Sequence, residues 1–302
     1  MTFREDGDLD TSGVSGGGGG GGGRGMAVGG GVGGLVIVVV ALLLGVDPSQ
    51  LGLGGGDQPQ GGSSSAQEID QHVKSCTLAK ANSDTICRIV ATTESLEDVW
   101  GAQFPAQTGG QRYVQPHTNI FSGSISTGCG AASSDVGPFY CPADNQVYID
   151  PSFYDDVLVQ QLGGSDDPAS QEYVLAHEFG HHVQTLLGDI DRSQQDPKGR
   201  SSGAVRVELQ ADCYAGIWAH HATRTPAPGG QAPLLASLTP QDIDAIIRTA
   251  VAIGDDHIQK VGGGKVNPSS WTHGSSEMRR QWFTTGYEQG TLQSCDTFSA
   301  QL

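Results

Sequence analysis

Basic residues are scarce in this chain: 16 Lys and Arg stand against 33 Asp and Glu among 302 residues, for a formal net charge of −17. A surface of that sign repels phosphate backbones and anionic headgroups, so no nucleic-acid partner is expected and a polybasic membrane patch is excluded. Aromatic residues are also few, at 6%. The 46 glycines follow no Gly-X-Y period, which excludes collagen, and 36% hydrophobic content with modest charge density excludes disorder throughout. No C-x-x-C pair is present to suggest a zinc ribbon or a dithiol redox motif, and no internal repeat occurs.

Long apolar runs are missing as well, with one exception. Residues 25–46 carry no charge and centre on Leu35–Leu44; as a helix they would reach roughly 33 Å, just over a hydrocarbon core. Seven glycines dilute this segment, so a secretory h-region and a buried strand-like segment are alternatives to a retained anchor, although Gly45-Val46-Asp47-Pro48 offers no A-x-A cleavage site. Arg4 and Arg24 precede the run and no basic residue follows until Lys74, which predicts a cytoplasmic N-terminus. Half of the glycine, 23 of 46, lies in residues 1–66, including the unbroken run Gly16–Gly23. The expected organisation is a glycine-rich cytoplasmic tail over 1–24, a single transmembrane anchor over 25–46, a flexible linker over 47–66, and one extracytoplasmic domain over 67–302. Six cysteines, an even number, suit disulfides in such a location. Of the 15 possible pairings, a Gly- and Ser-rich stretch that could turn back as a hairpin suggests Cys129 with Cys141; Cys76–Cys87 and Cys213–Cys295 follow by elimination.

Within the domain, N-cap chemistry at Thr92-Thr93 predicts a short helix from Ser95 to Phe104. Strands are expected at 119–125 and 146–149, then helices at 151–162, 169–187, 205–222, 240–253 and 275–289. Strands first and helices later describe an α+β fold, predominantly helical, with a small β region before the longest helices.

One of those helices carries His177-Glu178-Phe179-Gly180-His181. Histidines four apart stack on one helix face and can reach one ion, with Glu178 beside them as a base. Catalytic zinc takes three protein ligands and keeps a position open for water, so a third ligand should face this helix. Glu208, on the next predicted helix, is the candidate, and Asp212 one turn on could accept the spare N–H of a ligating histidine. For the oxyanion, His273 is favoured over Tyr140 and Tyr148 as the donor from another segment. The segment at 146–149 could serve as an edge for an extended substrate.

His177-Glu178-x-x-His181 followed by Glu208-x-x-x-Asp212 resembles the gluzincin arrangement. More closely, the chain is similar to the bacterial neutral zinc metallopeptidase family of single-span membrane proteins. The likeness rests on Phe3-Arg4-Glu5-Asp6, Gly137-Pro138-Phe139-Tyr140-Cys141-Pro142, Val147-Tyr148-Ile149-Asp150, the two metal motifs, and His273-Gly274-Ser275-Ser276 with Arg279, Trp282 and Phe283. The glycine run at 16–23 departs from the family pattern. The resemblance implies a zincin-like domain binding Zn2+ through His177, His181 and Glu208, with a protein or peptide substrate cleaved by a zinc-activated water and Glu178 as general base. A zinc-binding envelope scaffold without catalysis is the alternative.

Overall fold

The computed structural model describes residues 1–17 and 62–302. Near its start the chain forms two short strands, β1 (Thr2–Phe3) and β2 (Val14–Gly16). Among the described residues three helices come next: α1 (Gly62–Lys74), α2 (Leu78–Ala81) and the long α3 (Thr85–Gln107). The β region comprises β3 (His117–Ile120), β4 (Ser124–Thr127), β5 (Gly130–Ser133), β6 (Phe139–Cys141) and β7 (Gln146–Ile149). After it come α4 (Pro168–Leu187), α5 (Arg192–Gln195), α6 (Gly203–His221), β8 (Leu235–Ser237), α7 (Pro240–Ala252), α8 (Asp255–Val261) and α9 (Ser276–Gln289). This is the α+β arrangement, mostly helical, that the sequence predicts, and it suits a zincin-like domain.

Capping chemistry sets most helix starts. Asp167 accepts the N–H of Ala169 ahead of Pro168 at the first turn of α4, and Ser202 accepts that of Val205 in α6. Thr239 and Asp242 form a reciprocal capping box on α7. The helix expected to begin behind Thr92-Thr93 starts a full ten residues earlier. Asp84 caps it through the Cys87 N–H, and Ile89, Val90, Thr92 and Thr93 are buried inside it. Apolar burial here overrides the local turn signal of two threonines. The segment predicted as a helix at 151–162 is a wide π turn over Tyr154–Val159, with Gln160 N–H bonded to Asp155 O.

The main sheet has the order β2-β3-β7-β6: the first two pairings are parallel and β6 joins β7 antiparallel. Strand β7, expected as a free edge for substrate, lies between β3 and β6 and has no open side. Strands β4 and β5 form a separate hairpin. The three expected disulfides are all present, Cys76–Cys87, Cys129–Cys141 and Cys213–Cys295.

The N-terminal residues correct the expected topology. Strand β1 pairs with β8, β2 pairs with β3, and Phe3 and Val14 are buried in the same core as α3, α4 and α6. The chain's first amino group contacts Asp242. A single membrane crossing between residues 17 and 62 would place these strands on the side opposite their partners. Among the described residues no helix is long and apolar enough to cross a membrane. The span expected at 25–46 lies outside the described residues. The single-pass localisation with a cytoplasmic tail is therefore not supported.

Two close approaches fix the helices around the site. A Cβ on Gly286 of α9 would stand 1.9 Å from the carbonyl oxygen of Cys213, so α6 and α9 touch backbone to backbone. A Cβ on Gly180 would stand 2.9 Å from the Ala211 carbonyl oxygen, so α4 also packs closely on α6, though less tightly than α9 does.

Candidate metal centre

Helix α4 is buried from Ala169 to Gln184 apart from Gln171. His177 and His181 project from it toward α6, their rings edge to face at 4.8 Å. Glu208 on α6 meets both: its Oε2 is 3.2 Å from His177 Nε2, and its Oε1 is 3.6 Å from His181 Nε2. One ligand atom from each of the three residues lies within 4.8 Å of the others. Ligand atoms about 2.0–2.1 Å from a tetrahedral zinc stand about 3.3 Å apart, so the two imidazole-to-carboxylate distances suit that ion, as does the two-nitrogen, one-oxygen donor set.

The far nitrogens are fixed by other groups. His177 Nδ1–H donates to Asp212 Oδ1 at 2.9 Å, and the same oxygen accepts the Tyr173 hydroxyl at 2.5 Å. Arg279 closes this network from α9: Nε donates to Asp212 Oδ2 and Nη2 to Oδ1, each at 2.8 Å. His181 Nδ1–H donates to Gln184 Oε1 at 2.9 Å, and the Gln184 amide donates in turn to Val207 O and Gln210 Oε1. Both histidines thus present Nε2 to the shared centre.

Electrostatics follow from these partners. Burial alone would lower the pKa of His177, but hydrogen bonds to Asp212 and Glu208 outweigh it and hold the ring at about 10. His181, with an amide on Nδ1, follows its burial down to about 4. Burial pushes the carboxyls of Glu208 and Asp212 up, yet both end below the usual range. At Glu208 the charges of His181, His273 and His177 prevail, and at Asp212 those of Arg279 and His177.

Glu178 sits beside the centre, 7% exposed, with Oε2 unpartnered. Burial raises its pKa to about 7, with Glu208 adding to the effect and His177 opposing it. A cavity of about 110 Å³ opens here, and its polar wall is His177, Glu178, His181, Glu208, His273 and Arg279. Apolar side chains make the rest of its wall, among them Val136, Phe153, Val157, Leu162, Val174 and Ile258. The π turn supplies Val157 to that wall.

His273 lines the cavity and is held from behind by Asp255, whose Oδ2 accepts the backbone N–H groups of Thr272, His273 and Gly274. Its ring Nδ1 is 3.4 Å from Asp255 Oδ1. Tyr140 and Tyr148, the alternative donors, are engaged elsewhere. The Tyr140 hydroxyl bonds Asn145 and His182, and that of Tyr148 bonds Asp144. Sequence reasoning missed Tyr173, Gln184 and Asp255 and gave Arg279 no role. Gln184, three residues after His181 on one helix face, was open to detection by spacing. Arg279 and Asp255 reach the centre only through tertiary packing.

The sequence model of the family described as "Putative neutral zinc metallopeptidase" matches residues 3–298. The uncharacterized protein Rv2575 of Mycobacterium tuberculosis is 48% identical over 269 residues, covering 86% of this chain and 85% of its own length. The uncharacterized protein YpfJ of Escherichia coli K12 is 43% identical over 219 residues, covering 71% and 70%. No solved structure matches. The family match spans both metal motifs and the elements that bring them together, and the chain belongs to this zinc metallopeptidase family.

Proposed function

We propose that the chain is a zinc-dependent peptidase, with zinc held by His177, His181 and Glu208 and peptide-bond hydrolysis assisted by Glu178. The observation that carries this reading is the convergence of three ligand atoms from two helices next to a buried carboxylate with an unpartnered oxygen. Burying an unpaired acceptor costs about 1–3 kcal/mol. A purely structural ion or an envelope scaffold has no use for such a group at that place, whereas hydrolysis requires it.

Bound there, zinc would acidify a water molecule and polarise the scissile carbonyl. Glu178 accepts the proton of the attacking water and hands it to the departing amine. Its desolvated position favours a carboxyl that both takes and returns a proton near neutrality. His273, anchored by Asp255, offers a hydrogen bond to the oxygen that gains charge. Asp212, Tyr173 and Arg279 hold His177 in one tautomer, and Gln184 does the same for His181. The apolar wall receives a bulky aliphatic or aromatic side chain next to the scissile bond.

The test is cleavage of a mixed peptide library by the purified chain, before and after a chelator and after zinc is restored. Cleavage lost to the chelator and recovered with zinc is the expected result. Absence of cleavage from folded, zinc-loaded protein would remove the proposal.

A further inference from the structure

A second set of metal-ligating side chains lies where α1 meets α3. His72 stands in the last turn of α1 and Cys76 just beyond it, while Cys87 is the third residue of α3. One ligand atom from each lies within 4.8 Å of the others. A fourth donor adjoins them: Asp84 Oδ2 is 2.9 Å from His72 Nε2, and Asp84 Oδ1 accepts the Cys87 N–H at 2.9 Å. The two sulfurs are joined as a disulfide with Cα atoms 5.1 Å apart. Among the described residues, neither of the other two disulfides has such donors around it.

We propose that this junction is a redox-gated zinc site, in which reduction of Cys76–Cys87 frees two thiolates that bind zinc together with His72 and Asp84. The reductant is a dithiol. One of its thiolates attacks Cys76 Sγ, and the disulfide bond breaks with its electron pair on Cys87 Sγ. The second reductant thiol then displaces Cys76 Sγ, so the reductant leaves as a disulfide and both cysteines are reduced. Their two protons are released as the ion binds.

Accessibility and charge favour that direction of attack. Cys76 is 8% exposed and Cys87 is fully buried, so the reductant meets Cys76 first. The departing Cys87 thiolate forms in the first turn of a 23-residue helix, where the helix dipole stabilises negative charge. Thiolates about 2.3 Å from a tetrahedral zinc stand about 3.8 Å apart, a separation that side-chain rotation supplies without moving either helix. The α1–α3 junction is then cross-linked in both oxidising and reducing surroundings, by sulfur in one and by zinc in the other.

The test uses the full chain, stripped of metal, oxidised or reduced by a phosphine under anaerobic conditions, and then given cobalt(II) as a stand-in for zinc. Thiolate ligation produces a near-ultraviolet charge-transfer band that a site of imidazoles and a carboxylate does not. Reduction is expected to add one metal equivalent per chain together with this band. Both should be absent in the Cys76→Ser, Cys87→Ser double variant and retained in Cys129→Ser, Cys141→Ser. In His72→Ala the affinity should fall at least 10-fold, by analogy with loss of one ligand or its support. Helix content is followed by circular dichroism in the same samples. Three results would each overturn the proposal: a reduced, helical chain that binds no more metal than the oxidised one; a band that survives without Cys76 and Cys87; and a chain that unfolds on reduction and does not regain helix when metal is added.

Discussion

Replacing Arg279 with methionine removes the group that balances Asp212 while keeping a side chain of similar length in the same packed space. Arg279 is 2% exposed and Asp212 fully buried, and two 2.8 Å hydrogen bonds join them in parallel. A third bond, from Nη1 to Ile253 O, ties α9 to the end of α7. Breaking a buried pair by removing one partner costs about 3–5 kcal/mol, because the other charge stays desolvated. Asp212 keeps the Tyr173 hydroxyl and His177, which places the loss near the lower end, about 3 kcal/mol. Net stabilities are about 5–15 kcal/mol, so the change is large enough to measure without abolishing the fold. Urea denaturation with a chelator present reads stability apart from metal binding. The double variant Arg279→Met, Asp212→Asn should recover part of the loss, since no charge is then stranded. A loss below about 1 kcal/mol, or a double variant as unstable as the sum of the singles, would refute the claim that this pair balances the buried charge behind His177.

Other perturbations test separate parts of the structure. Glu172 on α4 is 1% exposed with both carboxylate oxygens unpartnered, and burial raises its pKa to about 8. Its folded pKa lies above the unfolded value, so the unfolded chain releases the proton first and stability falls as pH rises between about 4.5 and 8. Glu172→Gln should therefore stabilise by about 1–3 kcal/mol at pH 8, with the gain fading toward pH 4.5, as read by urea melts across that range; an equal effect at both ends would contradict this. Gly286→Ala forces a methyl against the Cys213 carbonyl and should cost about 1–3 kcal/mol in the same melts, with weaker metal binding because α9 carries Arg279. Val157→Trp fills the apolar wall of the cavity and should lower kcat/KM at least 10-fold for peptides with bulky side chains at the scissile bond, sparing small ones. Cleavage-site profiles unchanged by it would place the substrate side chain elsewhere.

Much of the centre was legible because its signals are local. Spacing of four on one helix places His177 with His181, and Glu208 with Asp212, whatever the rest of the chain does. The outer support was not legible. Arg279 lies 67 residues from Asp212 and Asp255 lies 18 from His273, and nothing in spacing announces either pairing. The same limit explains the error at the N-terminus. Residues 1–24 have the composition of a solvated tail, yet β1 finds β8 across more than 230 residues through backbone hydrogen bonds that composition does not encode. Helix α3 began early for a related reason: Asp84 and the buried run behind it outweigh the cap-like threonines.

The central claim, that His177, His181 and Glu208 hold zinc while Glu178 moves the proton, is tested most directly by Glu178→Gln, with bound zinc and peptide turnover measured on one preparation. About one zinc per chain is expected, as in the unaltered protein, with turnover reduced at least 100-fold. A Glu178→Gln protein that retains its zinc and still cleaves at the original rate would contradict it.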